Sequence, residues 1–98
     1  MDAELKAKWV QALRSGKYDQ CKHTMKDTTG FCCLGVLMDI QGVDWGSVDD
    51  LHTAKVPDAY NPGLSFNQMM ELGKMNDGNF SGTPQPFSEI ADYIEANL

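Results

Sequence analysis

The chain has 98 residues and a formal net charge of −6, enough for one domain with a modest core. Its acidity argues against a duplex-DNA partner, because like charges repel phosphates. No apolar run approaches the roughly 18–20 residues of a membrane span, and MDAELKAKWV lacks the apolar centre of a signal peptide, so neither a membrane nor secretion is expected.

Residues 3–15 read as a helix, with Leu5, Trp9, Val10 and Leu13 on one stripe. Asp2 suits its N-cap, Glu4 its positive end, and Ser15-Gly16 its stop. Residues 17–30, KYDQCKHTMKDTTG, alternate with period two, which predicts a short strand or extended arm, and DTTG is turn chemistry. Residues 31–41, FCCLGVLMDIQ, carry a helical stripe of Cys33, Leu34, Leu37, Met38 and Gln41 before Gly42, with strand as the alternative because period alone does not assign a short apolar run. Gly35 lowers helix stability by roughly 1 kcal/mol relative to Ala; such a glycine marks close approach of another element. Residues 43–64 look irregular, and Trp45, Val48, Leu51 and Val56 are expected to pin them to the core.

Helix returns at 66–76. Ser65 and Gln68 form a capping box, Phe66, Met69, Met70, Leu72 and Met75 make the apolar side, and Asn76-Asp77-Gly78 ends it. NFSGTPQ is a loop. Residues 86–97 form the last helix, with Pro86 at its first position and Phe87, Ile90, Ala91, Ile94 and Leu98 on one stripe. The sum is a single α+β domain over 1–98, mainly helical, with about four helices and one short β-hairpin or extended arm.

Cys21, His23, Cys32 and Cys33 have the donors of a zinc site, but their C-x-H and C-C spacings do not let paired ligands share one turn. No C-x-x-C redox motif exists, and no acid recognisably orients His23 as a base for a thiolate. The double cysteine reads instead as the buried start of a central helix. No phosphate loop, dinucleotide fingerprint, zinc-protease or serine-hydrolase motif occurs. Glu89, Asp92 and Glu95 share a helix face as solvated charge. No enzyme, metal or cofactor is expected. LGKMND…PFSEIADYI resembles the second half of a helix-turn-helix, yet 86–98 hold no Lys or Arg and the preceding loop is too long for that turn.

Charge is unevenly placed. Residues 1–30 carry Lys6, Lys8, Arg14, Lys17, Lys22 and Lys26 against four acids, a balance of +2, while residues 31–98 carry Lys55 and Lys74 against ten acids, a balance of −8. Around the basic segment, Trp9, Arg14, Lys17, Tyr18, Gln20, Lys22 and His23 combine cations for phosphate, rings for a base and an amide for hydrogen bonds. They are the candidate ligand-binding set.

The ordered segments KWVQALRSGKYDQ, FCCLGVLMDI, LGKMNDG and FSEIADYIEANL resemble a group of small proteins encoded by tailed bacteriophages. Those read W-x-x-A-L-R-S-G-x-Y-x-Q, C-C-L-G-V-L, L-N-D and S-F-x-E-I-A-D-x-I-E. Met75 replaces the Leu of L-N-D, Pro86 replaces the capping Ser, and NFSGTPQ is longer than usual. The resemblance implies a phage origin and the host bacterial cytoplasm, and carries no reaction. It turns the expectation toward an anti-defence accessory protein, a sponge that sequesters a nucleotide-derived immune signal, and a homo-oligomer. The alternative is an acidic inhibitor of a host defence effector such as a CRISPR nuclease complex.

Overall fold

The computed structural model describes residues 1–48, 56–78 and 84–98. Four helices carry the fold: α1 (Ala3–Arg14), α2 (Cys33–Asp39), α3 (Phe66–Asp77) and α4 (Phe87–Asn97). The short α2 lies at the centre, every residue from Cys33 to Met38 buried. Seven residues do not hold a helix alone in water; burial on all sides holds this one. α1 packs mainly on α4, and α2 on α3 and α1. Trp9 anchors α1 to α2: its ring is fully buried, and its indole N–H donates to the Cys33 carbonyl at 2.9 Å.

The ends follow local chemistry. Asp2 caps α1, its carboxylate accepting from Glu4 N–H at 3.1 Å. The Ser65–Gln68 capping box closes in both directions, at 2.8 and 3.1 Å. Gly78 ends α3 at φ 82°, a conformation that glycine adopts without strain. Cys32 caps α2, its sulfur accepting from Gly35 N–H at 3.3 Å. Two details differ from expectation. Pro86 is the N-cap of α4 rather than its first residue. Phe66 is 63% exposed, because the buried side of α3 runs through Met69, Leu72, Gly73, Met75 and Asn76.

The β-hairpin, and with it the α+β class, is corrected: the described residues contain no strand, and the fold is helical. The arm is a closed loop with two isolated bridges, Gln20 to Phe31 and Lys26 to Phe31. A strand needs a partner of similar length. After DTTG the chain has none to offer, because Cys32 already begins the cap of α2. His23 also takes φ 66°, which breaks an extended run. Asp27 organises the turn instead, one carboxylate oxygen accepting from Thr29 N–H, Thr29 Oγ1 and Gly30 N–H at 2.6–3.0 Å.

The arm lies tightly on the core. Met25 is fully buried, and its carbonyl accepts from Cys32 N–H at 3.0 Å. A Cβ on Gly35 would collide with that carbonyl oxygen, so the glycine admits another backbone as its place in the sequence implied. Gly30 does the same for the Asp19 carbonyl. Residues 43–48 and 56–64 are irregular apart from single 3₁₀ turns at Trp45–Ser47 and Asp58–Tyr60. Val56 is buried, and Trp45 and Val48 pack half-buried on the core; Leu51 lies outside the described residues.

Candidate functional site

α1 turns Trp9 and Leu13 inward, which leaves its opposite face to solvent. Two grooves flank that face and meet at Gln11 and Ser15. The larger, about 690 Å³, runs between α1 and α4 over Ala3, Ala7 and Val10, with Lys6, Arg14 and Glu95 at its edges. The smaller, about 420 Å³, is lined by Lys8, Gln11, Ala12, Ser15, Lys17, Tyr18 and Ile40. It holds two cations, an amide, a hydroxyl and an aromatic ring, and its lining has no carboxylate. Lys17 has no ion pair among the described residues, and Lys8 makes only the exposed pair with Glu4 at 3.4 Å.

The C-terminal end of a helix repels anions through its open carbonyls. Here Ser15 covers one of them, its N–H and its Oγ both donating to the Ala12 carbonyl, at 3.2 and 2.7 Å. Both grooves are within the size range of small-ligand sites.

The structure divides the seven candidate residues. Lys17 and Tyr18 come together in the smaller groove. Trp9 is a core residue. Arg14 turns to the other groove, where its fork is taken by Asp92 at 2.6 Å and Glu95 at 3.1 Å. Gln20 points inward and donates to Asn76 Oδ1 at 3.0 Å and the Gln85 carbonyl at 2.8 Å. His23 is held by α3: its N–H donates to Asp77 Oδ1 at 2.9 Å, and its ring is 71% exposed. Lys22 is exposed and lines neither groove.

Sequence reasoning passed over Lys8, Gln11 and Ser15. Their signal was the spacing 8, 11, 15 on the face opposite Trp9 and Leu13. It also passed over Asn76, which is fully buried and joins three elements. Asn76 Oδ1 accepts from Gln20 and from Cys33 N–H, and its amide donates to the Cys21 carbonyl at 2.8 Å and Asp77 Oδ1 at 3.1 Å.

Tyr18 borders a second feature. Its hydroxyl donates to Asp39 Oδ2 at 2.7 Å, and Trp45 Nε1 donates to Asp39 Oδ1 at 3.0 Å. Between them Phe31 packs edge-on to Tyr18, ring centres 5.1 Å apart, and tilted to Trp45 at 5.9 Å. Burial, then the Asp39 carboxylate, pushes the Tyr18 phenol up to about 12.

The thiols are core groups. Burial raises Cys21 to about 11 and Cys32 to about 12, and holds Cys33 well above its ordinary value. All three are therefore neutral thiols near pH 7 and poor nucleophiles. No three or more His, Cys, Asp or Glu side chains gather as a metal site among the described residues. No helix among them is long and apolar enough to cross a membrane.

A family model described as a domain of unknown function, DUF8296, matches residues 1–61, which cover α1, the arm and α2. No curated protein and no solved structure matches the chain.

Proposed function

The chain belongs to the DUF8296 family, whose description assigns no function, and from the groove chemistry we propose that it is a non-catalytic protein that binds and sequesters a nucleotide in the groove between Lys8 and Lys17. The carrying observation is the lining of that groove, two lysines with Gln11, Ser15 and Tyr18 and no carboxylate. Lys17 and Lys8 would take the phosphate as point charges, Gln11 and Ser15 would hydrogen-bond sugar or base, and the Tyr18 ring would offer a stacking surface. The setting we propose is the one implied by the ordered motifs. A phage-encoded accessory protein in the host bacterial cytoplasm would blunt defence by removing a nucleotide-derived signal. The groove is open on one side, so a homo-oligomer in which a second copy closes it completes this reading.

Isothermal titration against nucleoside monophosphates, linear dinucleotides and cyclic dinucleotides tests it. Binding tighter than about 100 μM to at least one of them is expected, weakened at least about tenfold by Lys8→Glu with Lys17→Glu. No binding across the panel, or binding indifferent to that double variant, overturns it.

A second reading rests on α4, where Asp92 is 72% and Glu95 62% exposed on the face that also carries Glu89. That strip would cover a basic nucleic-acid-binding surface on a host defence effector such as a CRISPR nuclease complex. In cells whose defence the chain relieves, Glu89→Lys would then remove the relief, and Lys8→Glu with Lys17→Glu would spare it.

A further inference from the structure

We propose that the ligand carries two bases joined by a phosphodiester, the first in the Lys8–Lys17 groove and the second on the Tyr18–Phe31–Trp45 face. This rests on the nucleotide reading above and names the class of nucleotide.

Tyr18 belongs to both places. One side of it lines the groove, and it meets Phe31 at an interplanar angle of 86°. Beyond Phe31 stands Trp45, tilted by 55°. All three rings are half-buried, packed against the core and still partly open to solvent. A single carboxylate fixes the polar edges of the two outer rings, since Asp39 accepts from both Tyr18 and Trp45. Their orientation is set before any ligand arrives, so stacking a base there orders little else. Those two hydrogen bonds also engage the Asp39 carboxylate.

The second face has its own cation. Lys26 Nζ stands 5.5 Å from the centre of the Phe31 ring. Lys17, beside Tyr18, serves the groove. Two cations thus flank two adjoining rings, in the order Lys17, Tyr18, Phe31, Lys26. A mononucleotide occupying the 420 Å³ groove would leave Phe31, Trp45 and Lys26 unused. A base–phosphate–base unit uses all of them, and stacking accepts any base because each has a π-face.

Intrinsic fluorescence reads this directly. Trp9 is fully buried and Trp45 half-buried, and these are the only two tryptophans. A base on the aromatic face changes the emission of Trp45. The full chain is titrated with a nucleoside monophosphate, a linear dinucleotide and a six-base single strand, by calorimetry and emission together. The dinucleotide is expected to bind at least about tenfold tighter than the monophosphate and to quench emission. Trp45→Phe removes the quench, and Lys26→Gln, at a side chain outside the core, brings dinucleotide affinity toward that of the monophosphate. Equal dinucleotide and six-base affinities assign a free dinucleotide as the source; much tighter six-base binding assigns the same chemistry to a single-stranded polymer. Equal affinity for monophosphate and dinucleotide with unchanged emission overturns the second base and leaves the groove reading standing. No calorimetric binding of any of the three overturns this inference, and the groove reading falls with it when cyclic dinucleotides also fail to bind.

Discussion

The arm and the α1–α4 seam are both pinned by polar contacts, but the arm is pinned inside the core and the seam in water. Asn76 holds the arm, its amide completely buried and bonded to Gln20, Cys21, Cys33 and Asp77. Arg14 holds the seam, gripping Asp92 and Glu95, while Lys6 Nζ donates to the Glu95 carbonyl at 3.2 Å. The geometry is as good at the seam, and the energetics are not. Losing a buried partner strands groups that water cannot reach, at about 1–3 kcal/mol for each group left unmade. An exposed ion pair contributes about 0–1 kcal/mol, because water and salt take its place.

Breaking the arm from its backbone side gives the largest effect. Gly35→Ala places a methyl against the Met25 carbonyl, and because that atom is backbone the arm itself must move. A loss of about 3 kcal/mol is expected in urea unfolding. A loss below about 1 kcal/mol would mean the arm is not fixed there.

Asn76→Ala attacks the same contact from α3. It removes the acceptor of Cys33 N–H and the donor to the Cys21 carbonyl, and about 2–3 kcal/mol should be lost. Native-state hydrogen exchange should show arm amides opening before those of α1 and α4. Equal opening in both regions would erase the contrast.

Alkaline pH separates the regions without mutation. Cys21, Cys32 and Tyr18 have folded pKa values raised to about 11, 12 and 12, all in or beside the arm. Above their ordinary values the folded chain keeps protons that the unfolded chain has released, so stability falls as pH rises. It is complete below about pH 9 and is lost progressively toward pH 12. The urea midpoint, followed over that range, should drop with the rise in thiolate absorbance; a flat midpoint contradicts the burial of the thiols.

The smallest effect is expected at the seam. Arg14→Ala should lower the urea midpoint less than either Gly35→Ala or Asn76→Ala, and the difference should shrink in high salt. A loss as large as that of Asn76→Ala, indifferent to salt, would put Arg14 on the same footing as Asn76.

Of the candidate site, Lys17 and Tyr18 were legible because a cation beside a ring in a polar stretch needs no tertiary information to be noticed. Gln20 and His23 looked equally available. Only folding brings α3 against the arm, so nothing local said that Asn76 and Asp77 would occupy them. Trp9 was ambiguous for a related reason: a tryptophan on an apolar stripe reads equally as core or as stacking surface until its indole N–H finds the Cys33 carbonyl. Trp45 was read as a core pin, and its role beside Phe31 depends on Asp39, six residues earlier.

By itself the sequence determined α1, α3 and α4, the Asp2 cap, the Ser65–Gln68 capping box and the burial of Cys32 and Cys33, and it favoured helix for 31–41, because periodicity, capping and glycine stops act within a few residues. It also determined that something must lie close to Gly35. The tertiary structure alone decided that this neighbour is the Met25 carbonyl, that the alternating arm closes into a loop rather than a hairpin, and which polar groups remain open to a ligand. Pairing and burial depend on what the chain meets from far along its length, and the residues of one segment do not contain that.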